Sequence, residues 1–207
     1  PHAPPIAGLV GRFGDAPAAS PHAENTGIVL WSDHGWSLGE KEHWGKHVPW
    51  ADSVRVPLIV VPPKAARPAG FQPGTRCHAL VNLLDLYPTL IDMCDLSRRD
   101  DLEGQSLLPL IKGDVDRVKP AAYSQVKALK VNQQLLAYSL RTPQHRYVEW
   151  RDTKDGYKLV SRELYRLGTG GAETRNIASD PASKAVLEAC ATLCNQGYST
   201  LRALPRK

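Results

Sequence analysis

One stretch of this chain constrains its fold more than any other. Residues 28–31 read Ile-Val-Leu-Trp and are followed at once by Ser-Asp-His-Gly at residues 32–35. An apolar, β-branched run that ends abruptly in polar residues is typical of a buried strand of a parallel sheet. Open α/β sheets bind ligands at the carboxyl ends of such strands. The stretch therefore predicts an α/β domain with a ligand site at residues 32–35.

Three side chains near this strand end have the chemistry for such a site. Asp33 and His34 offer an oxygen and an imidazole nitrogen side by side, and both are common metal ligands. Lys46 follows in the string Gly-Lys-His at 45–47 and brings a point charge suited to an oxyanion. Read alone, Asp-His-Gly after a strand more often marks a turn in which Asp33 caps the next segment.

Composition excludes several functional classes. The chain has 207 residues, of which 42% are apolar and 23% charged, and this is ordinary globular material. It contains no run of about 18 apolar residues, so no membrane span is expected, and residues 1–5 give no sign of a signal peptide. The net charge of +5 comes from scattered residues. It predicts an anionic substrate and no nucleic-acid partner.

The first two parts of the chain differ in pattern. Residues 1–24 are rich in Pro, Ala and Gly without a period, which predicts an irregular, linker-like segment. Residues 25–115 are predicted to form part of an α/β sheet with flanking helices and a long functional loop at 37–53. The elements expected in this part are strands at 27–31, 55–61 and 78–81 and a helix at 85–94, with Asp85 as its N-cap.

The third part, residues 116–207, is predicted to be a small antiparallel sheet covered by a C-terminal helix. Short β-rich runs separated by turn residues lie at 122–127, 135–141, 146–151 and 163–167. The helix is expected at 181–204, with an apolar stripe formed by Ala185, Val186, Ala189, Leu193 and Tyr198. Cys190 and Cys194 match no zinc-site spacing and are expected to pack as small apolar residues.

Several separate strings, in one order, resemble the sulfatase family of the alkaline phosphatase superfamily. The longest reads Trp-Ser-Asp-His-Gly-Trp-Ser-Leu-Gly-Glu-Lys at 31–41, followed by His-Trp-Gly-Lys-His at 43–47 and Arg-Val-Pro-Leu-Ile at 55–59. Residues 84–90 and 102–110 resemble later segments of the family. The strings look most like the branch that contains iduronate 2-sulfatase and choline sulfatase. They cover roughly residues 25–180, the C-terminal portion of such an enzyme.

The resemblance implies an alkaline-phosphatase-like fold and the hydrolysis of a sulfate ester of a sugar or small molecule. Asp33 and His34 take the positions of two ligands of a divalent metal, for which Ca²⁺ is the usual ion of the family. Because His34 brings a nitrogen donor, manganese and zinc stay open as alternatives. Lys46 matches the lysine that grips the sulfate and assists the leaving oxygen. Trp36 and His47 are expected to contact the substrate.

The nucleophile implied by the family has no counterpart in this sequence. It is a formylglycine made from Cys or Ser in a Cys/Ser-x-Pro-x-Arg string, and the nearest match, Ser179-Asp180-Pro181, has Ser183 where Arg is needed. The chain is therefore expected to be the C-terminal portion of a sulfatase, inactive alone, with the nucleophile on the N-terminal half. The resemblance further implies export of the full-length protein to the periplasm, the extracellular space or the lysosome.

Two other functions stay open. A phosphonate monoester or phosphodiester hydrolase of the same superfamily also accommodates an Asp-His pair. A catalytically inactive module that binds sulfated glycans would explain the positive charge and the missing nucleophile.

Overall fold

The structure, a computed structural model, describes residues 19–69, 71–127, 134–168 and 173–203, and single positions at 8, 11, 12, 14, 15 and 17; side chains are described up to residue 197. Half of the predicted linker-like segment, residues 1–24, lies outside the described residues, and the described positions at 8, 11, 12, 14, 15 and 17 are helical, where an irregular segment was predicted. Its end forms a 3-10 turn at Ala23–Asn25 that leads into the first strand. Within the described part of the chain, no helix is both long and apolar enough to cross a membrane.

The α/β part contains short strands and helices joined by long loops. In chain order they are β1 (Ile28–Trp31), β2 (Ser37–Leu38), β3 (Trp44–Gly45), α1 (Ala51–Val54), β4 (Leu58–Val61), α2 (Leu86–Met93) and α3 (Leu108–Lys112). The predicted loop at 37–53 thus holds a small hairpin and a helical turn. Residues 78–81 are described and form no strand, contrary to the prediction.

β1 pairs with β4 in the antiparallel sense, with Ile28 opposite Val61 and Trp31 opposite Leu58. The run at 28–31 is typical of a parallel sheet, but this pair is antiparallel, because the connection carries only the four-residue helix α1 and lacks a full crossover helix. β4 begins at Leu58, later than predicted, since α1 ends at Val54 and Pro57 has no N–H for the ladder. The polar residues 32–35 still follow the carboxyl end of β1.

The predicted helix at 85–94 is confirmed as α2, but Asp85 does not cap it with its side chain. The carboxylate of Asp85 is fully buried and accepts hydrogen bonds from the backbone N–H of Asn82 (2.7 Å) and of Gln105 (2.9 Å). Lys119 Nζ lies 2.6 Å from its Oδ1. Asp85 therefore joins three segments of the chain at the boundary between the α/β part and the C-terminal sheet.

The C-terminal part is a four-stranded antiparallel sheet covered by one long helix, as predicted. The strands β5 (Ala122–Lys127), β6 (Leu135–Arg141), β7 (His145–Asp152) and β8 (Lys158–Arg166) follow one another in space in chain order. The helix α4 spans Lys184–Ala203. It is preceded by a 3-10 turn whose N-cap, Asp180, accepts from the Ala182 N–H at 2.9 Å.

The main apolar core lies between one face of this sheet and α4. It contains Ala121, Leu136, Tyr138, Leu140, Tyr147, Leu164, Leu187, Cys190, Ala191 and Cys194. Both cysteines pack as small apolar residues, as predicted, and burial raises the pKa of the Cys190 thiol. The predicted helix stripe was partly wrong, because Ala185 and Ala189 are exposed. Tyr198 lies outside the described side chains.

The opposite face of the sheet, which we call the loop face, contacts the loop at residues 46–53. Ala137, Ser139, Arg146 and Val148 of this face are buried. Val48 and Pro49 of the loop are buried as well. The sheet is therefore covered on both faces, by α4 on one and by the loop that carries Lys46 on the other.

Candidate active site

The polar turn after β1 is held in one conformation by local hydrogen bonds. Ser32 Oγ donates to the carbonyl oxygen of His34 at 2.7 Å. The N–H of Gly35 donates to the carbonyl of Ser53 at 2.8 Å. A Cβ at position 35 would lie 2.0 Å from the carbonyl oxygen of Asp52, so only glycine allows α1 to approach this closely.

His34 is oriented by contacts at both ring nitrogens. Nδ1 lies 2.9 Å from the carbonyl oxygen of Gly35, and Nε2 lies 2.8 Å from Nζ of Lys46. Because an ammonium group can only donate, Nε2 must accept from Lys46. Nδ1 then carries the proton and donates to the Gly35 carbonyl. These contacts fit a neutral imidazole whose Nε2 lone pair faces the site.

Asp33 brings a negative charge to the same place. Its Oδ2 lies 3.3 Å from Nε2 of His34, and its side chain is 80% exposed. A carboxylate, an imidazole nitrogen and an ammonium group therefore converge at the end of β1. The structure brings together the three residues predicted to carry the chemistry, Asp33, His34 and Lys46.

The donors of this site fit part of a metal centre. Asp33 Oδ2 and His34 Nε2 present an oxygen and a nitrogen to one point, a donor set that suits Mn²⁺ or Zn²⁺ and is less typical of Ca²⁺. In the described ranges, no group of three or more His, Cys, Asp or Glu side chains is placed to hold an ion. These two residues can therefore serve as two ligands of a larger set.

Lys46 reaches the site from the β2–β3 hairpin. Ser37 pairs with Gly45 and Leu38 with Trp44 in this hairpin. Gly45, directly before Lys46, has a φ of 125°, a conformation that side chains rarely adopt. The turn of the hairpin contains Lys41 at a φ of 53°. A residue with a side chain keeps a positive φ only where surrounding contacts hold it there, so the contacts of Lys41 matter for the hairpin.

Lys41 lies against two aromatic rings at the loop face. Its Nζ is 3.9 Å from the ring centre of Tyr165 and 4.9 Å from that of Trp50, which is cation–π geometry. Burial lowers the pKa of Lys41, while the charge of Glu163 acts in the opposite direction. The hairpin is thus held on the C-terminal sheet by a residue that the sequence motifs did not single out.

Three consecutive loop residues after Lys46 are hydrogen-bonded to side chains of the C-terminal part. The carbonyl of Pro49 accepts from Ser139 Oγ at 3.0 Å. Trp50 Nε1 donates to Glu163 Oε2 at 2.8 Å, and the Ala51 N–H donates to Glu173 Oε2 at 3.0 Å. The C-terminal sheet and the segment that follows it therefore set the position of the loop that carries Lys46.

Glu163 is the most connected of these acceptors. Besides Trp50, it accepts from Trp150 Nε1 at 2.6 Å and from Tyr165 OH at 2.6 Å. Burial and the hydrogen bond to Glu163 raise the pKa of Tyr165. The sequence analysis did not identify Glu163, Glu173 or Ser139 as site residues. The only signal in the sequence is that each is a polar residue within a β-rich run or shortly after one.

The other predicted site residues lie at the rim. Trp36 is 54% exposed, and its ring centre is 6.4 Å from that of His34. His47 is exposed beside Lys46. Trp50 fixes the loop through its hydrogen bond to Glu163, whereas Trp44 is 72% exposed. The substrate contacts expected of Trp36 and His47 stay predictions.

Comparisons with known proteins identify the family and the fold of this chain. Residues 39–196 match the family N-sulphoglucosamine sulphohydrolase, C-terminal. A sulfatase of Formosa agariphila is 38% identical over 103 residues, which are 50% of this chain and 19% of that protein. Arylsulfatase K of Danio rerio is 28% identical over 176 residues, 83% of this chain and 31% of that protein.

A solved structure of a 2-O GAG sulfatase superposes with a TM-score of 0.76 at 23% identity, over 97% of this chain and 42% of that one. At this identity the likeness concerns the fold, and it supports the predicted α/β architecture with its C-terminal sheet and helix. This chain thus spans about a fifth to a third of the length of the curated relatives named above. Because the family match covers most of the chain, the protein belongs to the sulfatase family, in the part described as the C-terminal region of N-sulphoglucosamine sulphohydrolase.

Proposed function

We propose that this chain forms the C-terminal part of a sulfatase that hydrolyses sulfate esters of a sugar or of a small molecule. The observation that carries the proposal is the convergence at His34 Nε2 of Lys46 Nζ (2.8 Å) and Asp33 Oδ2 (3.3 Å). The sulfatase relatives support it. The finer assignment, to the branch of iduronate 2-sulfatase and choline sulfatase, and export of the full-length protein belong to the same proposal.

In this proposal Asp33 and His34 hold a divalent ion, Ca²⁺ by family usage or Mn²⁺ or Zn²⁺ by the nitrogen donor. When bound, such an ion polarises the sulfuryl oxygens and lowers the pKa of the nucleophile. The hydrogen bond from Nδ1 to the Gly35 carbonyl keeps the His34 ring in place with its Nε2 lone pair exposed to the site. Further ligands and a formylglycine nucleophile come from residues outside this chain.

Lys46 acts on the sulfate group itself. A metal at His34 Nε2 would take the lone pair that Lys46 now contacts, and the ammonium would then be available to a sulfate oxygen. There it offsets negative charge in the transition state and can donate a proton to the departing alcohol oxygen. Trp36 and His47, at the rim, are proposed to contact the rest of the substrate.

Sulfate release from an aryl sulfate tests the proposal. The 207-residue chain alone is expected to release none above the uncatalysed rate. A longer protein that contains this chain and a Cys/Ser-x-Pro-x-Arg segment is expected to be active, and Lys46→Gln should lower its activity by at least about 100-fold. Lys112→Gln, an exposed lysine, is the matched control. Activity of the chain alone, or full activity of the Lys46 variant, contradicts the proposal.

The nitrogen ligand His34 favours a second candidate, a phosphonate monoester or phosphodiester hydrolase of the same superfamily. Comparison of kcat/KM for matched aryl sulfate and aryl phosphate esters with the longer protein decides between the two. If the longer protein binds a sulfated glycan and turns over neither ester, it is instead an inactive binding module.

A further inference from the structure

The loop at residues 46–53 contacts the polar turn after β1 at both of its ends. Its first residue, Lys46, places Nζ 2.8 Å from Nε2 of His34. Its last residue, Ser53, accepts a hydrogen bond from the N–H of Gly35 at 2.8 Å. The carbonyl oxygen of the same glycine lies 2.9 Å from Nδ1 of His34. The position of this loop therefore bears on both ring nitrogens of His34.

Three side chains of the C-terminal part hold the middle of the loop, and we call them the loop anchor: Ser139, Arg146 and Glu173. Glu173 accepts from the Ala51 N–H at 3.0 Å. Ser139 Oγ donates to the Pro49 carbonyl at 3.0 Å. Arg146 joins the other two, because its Nε contacts Glu173 and its NH1 donates to Ser139 Oγ at 2.9 Å. All three side chains are buried, a setting in which satisfied polar networks rigidify the structure around them.

The helix α1 connects the loop anchor with the polar turn. The Ala51 N–H lies at the start of α1, where a helix leaves its N–H groups unpaired, and Glu173 supplies the acceptor. The Ser53 N–H donates to the Trp50 carbonyl at 3.0 Å, so both ends of this link belong to one hydrogen-bonded turn. α1 approaches Gly35 so closely that a Cβ there would lie 2.0 Å from a backbone oxygen. A displacement of α1 therefore displaces Gly35 as well.

We propose that the loop anchor positions the imidazole of His34 through α1 and the backbone of Gly35. The anchor residues would thus be positioning residues of the candidate active site, although they lie more than 100 positions after His34 in the chain. This inference rests on the proposed function only for what His34 does in the reaction, since the placement of its ring is a matter of geometry. Groups that orient a metal ligand without binding the metal typically change metal affinity or activity about 10–100-fold when they are replaced.

Glu173→Gln tests the inference in the 207-residue chain without turnover. One amide oxygen cannot accept from both Arg146 and Ala51, and the buried guanidinium loses its counter-charge, so α1 should loosen. The readouts are the NMR coupling across the hydrogen bond between the Gly35 nitrogen and the Ser53 carbonyl carbon, and hydrogen exchange at the Gly35 N–H. In the variant we expect the coupling to disappear and the exchange to become about tenfold faster.

Control variants separate positioning from a general loss of stability. Glu188→Gln breaks an exposed ion pair of α4, and Leu187→Ala removes apolar contacts on the other face of the sheet. Both should keep the Gly35 coupling, and its loss in Leu187→Ala would overturn the inference. Ser139→Ala keeps the buried ion pair and decides the matter if Glu173→Gln does not fold. Unchanged coupling and exchange at Gly35 in the deciding variant overturn the inference.

Activity of the longer protein separates this inference from the proposed function. There Glu173→Gln should lower kcat/KM for the aryl sulfate about 10–100-fold, while Glu188→Gln and Leu187→Ala keep the wild-type value. Wild-type kcat/KM in Glu173→Gln would overturn the inference. If Gly35 responds to Glu173→Gln but the longer protein hydrolyses no sulfate ester, the positioning of His34 stands and only the proposed function fails.

Discussion

The ammonium of Lys46 lies 2.8 Å from Nε2 of His34, although twelve residues separate the two in the sequence. The contact depends on the β2–β3 hairpin, which turns the chain back toward the end of β1. It places a cation at the lone pair that a metal ion would use. Asp33 beside it is 80% exposed, so this place opens to solvent.

The tautomer of His34 follows from this contact. We expect Nδ1–H in the wild-type chain, since Nε2 accepts from Lys46. Lys46→Met removes that donor, but the Gly35 carbonyl still accepts from Nδ1–H, so the same tautomer should persist in the variant. Long-range ¹H–¹⁵N NMR spectra of the neutral imidazole report the tautomer directly. Lys112→Met is the control, and an Nε2–H signal in the wild type would contradict the assignment.

Glu163→Gln should loosen the loop that carries Lys46. The Gln amide nitrogen cannot accept a hydrogen bond, so the donors Trp50, Trp150 and Tyr165 compete for one oxygen. We expect a loss of about 1–3 kcal/mol in the free energy of unfolding and faster hydrogen exchange at the Ala51 N–H. Glu103→Gln, at an exposed site, serves as control. Unchanged exchange at Ala51 would show that Glu163 does not hold the loop.

Lys119→Met should be strongly destabilising. It leaves the fully buried carboxylate of Asp85 without its cation, and such a loss costs about 3–5 kcal/mol. Because the residues are in contact, the double variant with Asp85→Asn should cost less than the sum of the single variants. Urea unfolding measures each value. Lys112→Met is again the control and should change the free energy of unfolding little. If Lys119→Met has an equally small effect, its ion pair with Asp85 does not stabilise the fold.

Stability should fall in alkaline solution because of Tyr165. Burial and the hydrogen bond to Glu163 raise its pKa above the usual 10.0, so the unfolded chain loses this proton first. The contribution of this shift to the free energy of unfolding is complete below pH 10. It is lost as the pH rises toward the pKa of Tyr165 in the folded chain, by up to about 1.4 kcal/mol per pH unit. Between pH 9 and 11, the free energy of unfolding of Tyr165→Phe should therefore fall less steeply with pH than that of the wild type.

Tyr157→Phe, an exposed tyrosine, keeps the wild-type slope if this explanation holds. Tyr147 and Cys190 also have raised pKa values and contribute to the wild-type fall in stability. Lys41, whose pKa is lowered by burial, opposes it. Only the difference in slope between wild type and Tyr165→Phe therefore tests Tyr165, and equal slopes would exclude it as a source.

Much of the fold was predictable because it depends on local pattern. The run Ile-Val-Leu-Trp defines β1, the apolar spacing after Asp85 defines α2, and the β-rich runs define β5 to β8. The strand at 78–81 and the buried positions expected of Ala185 and Ala189 were predicted wrongly. Strand pairing and the buried face of a helix depend on what packs against them, and a local pattern does not contain that information.

The sequence by itself determined the family and which residues would gather at the end of β1, since Asp33, His34 and Lys46 occur in short strings with characteristic spacing. Only the tertiary structure decided what holds them there. Trp50 meets Glu163 across 113 residues of chain, and Ala51 meets Glu173 across 122. Arg141 likewise lies opposite Arg146 because of the register between β6 and β7. Such contacts form when separate elements pack, so no spacing in the sequence records them.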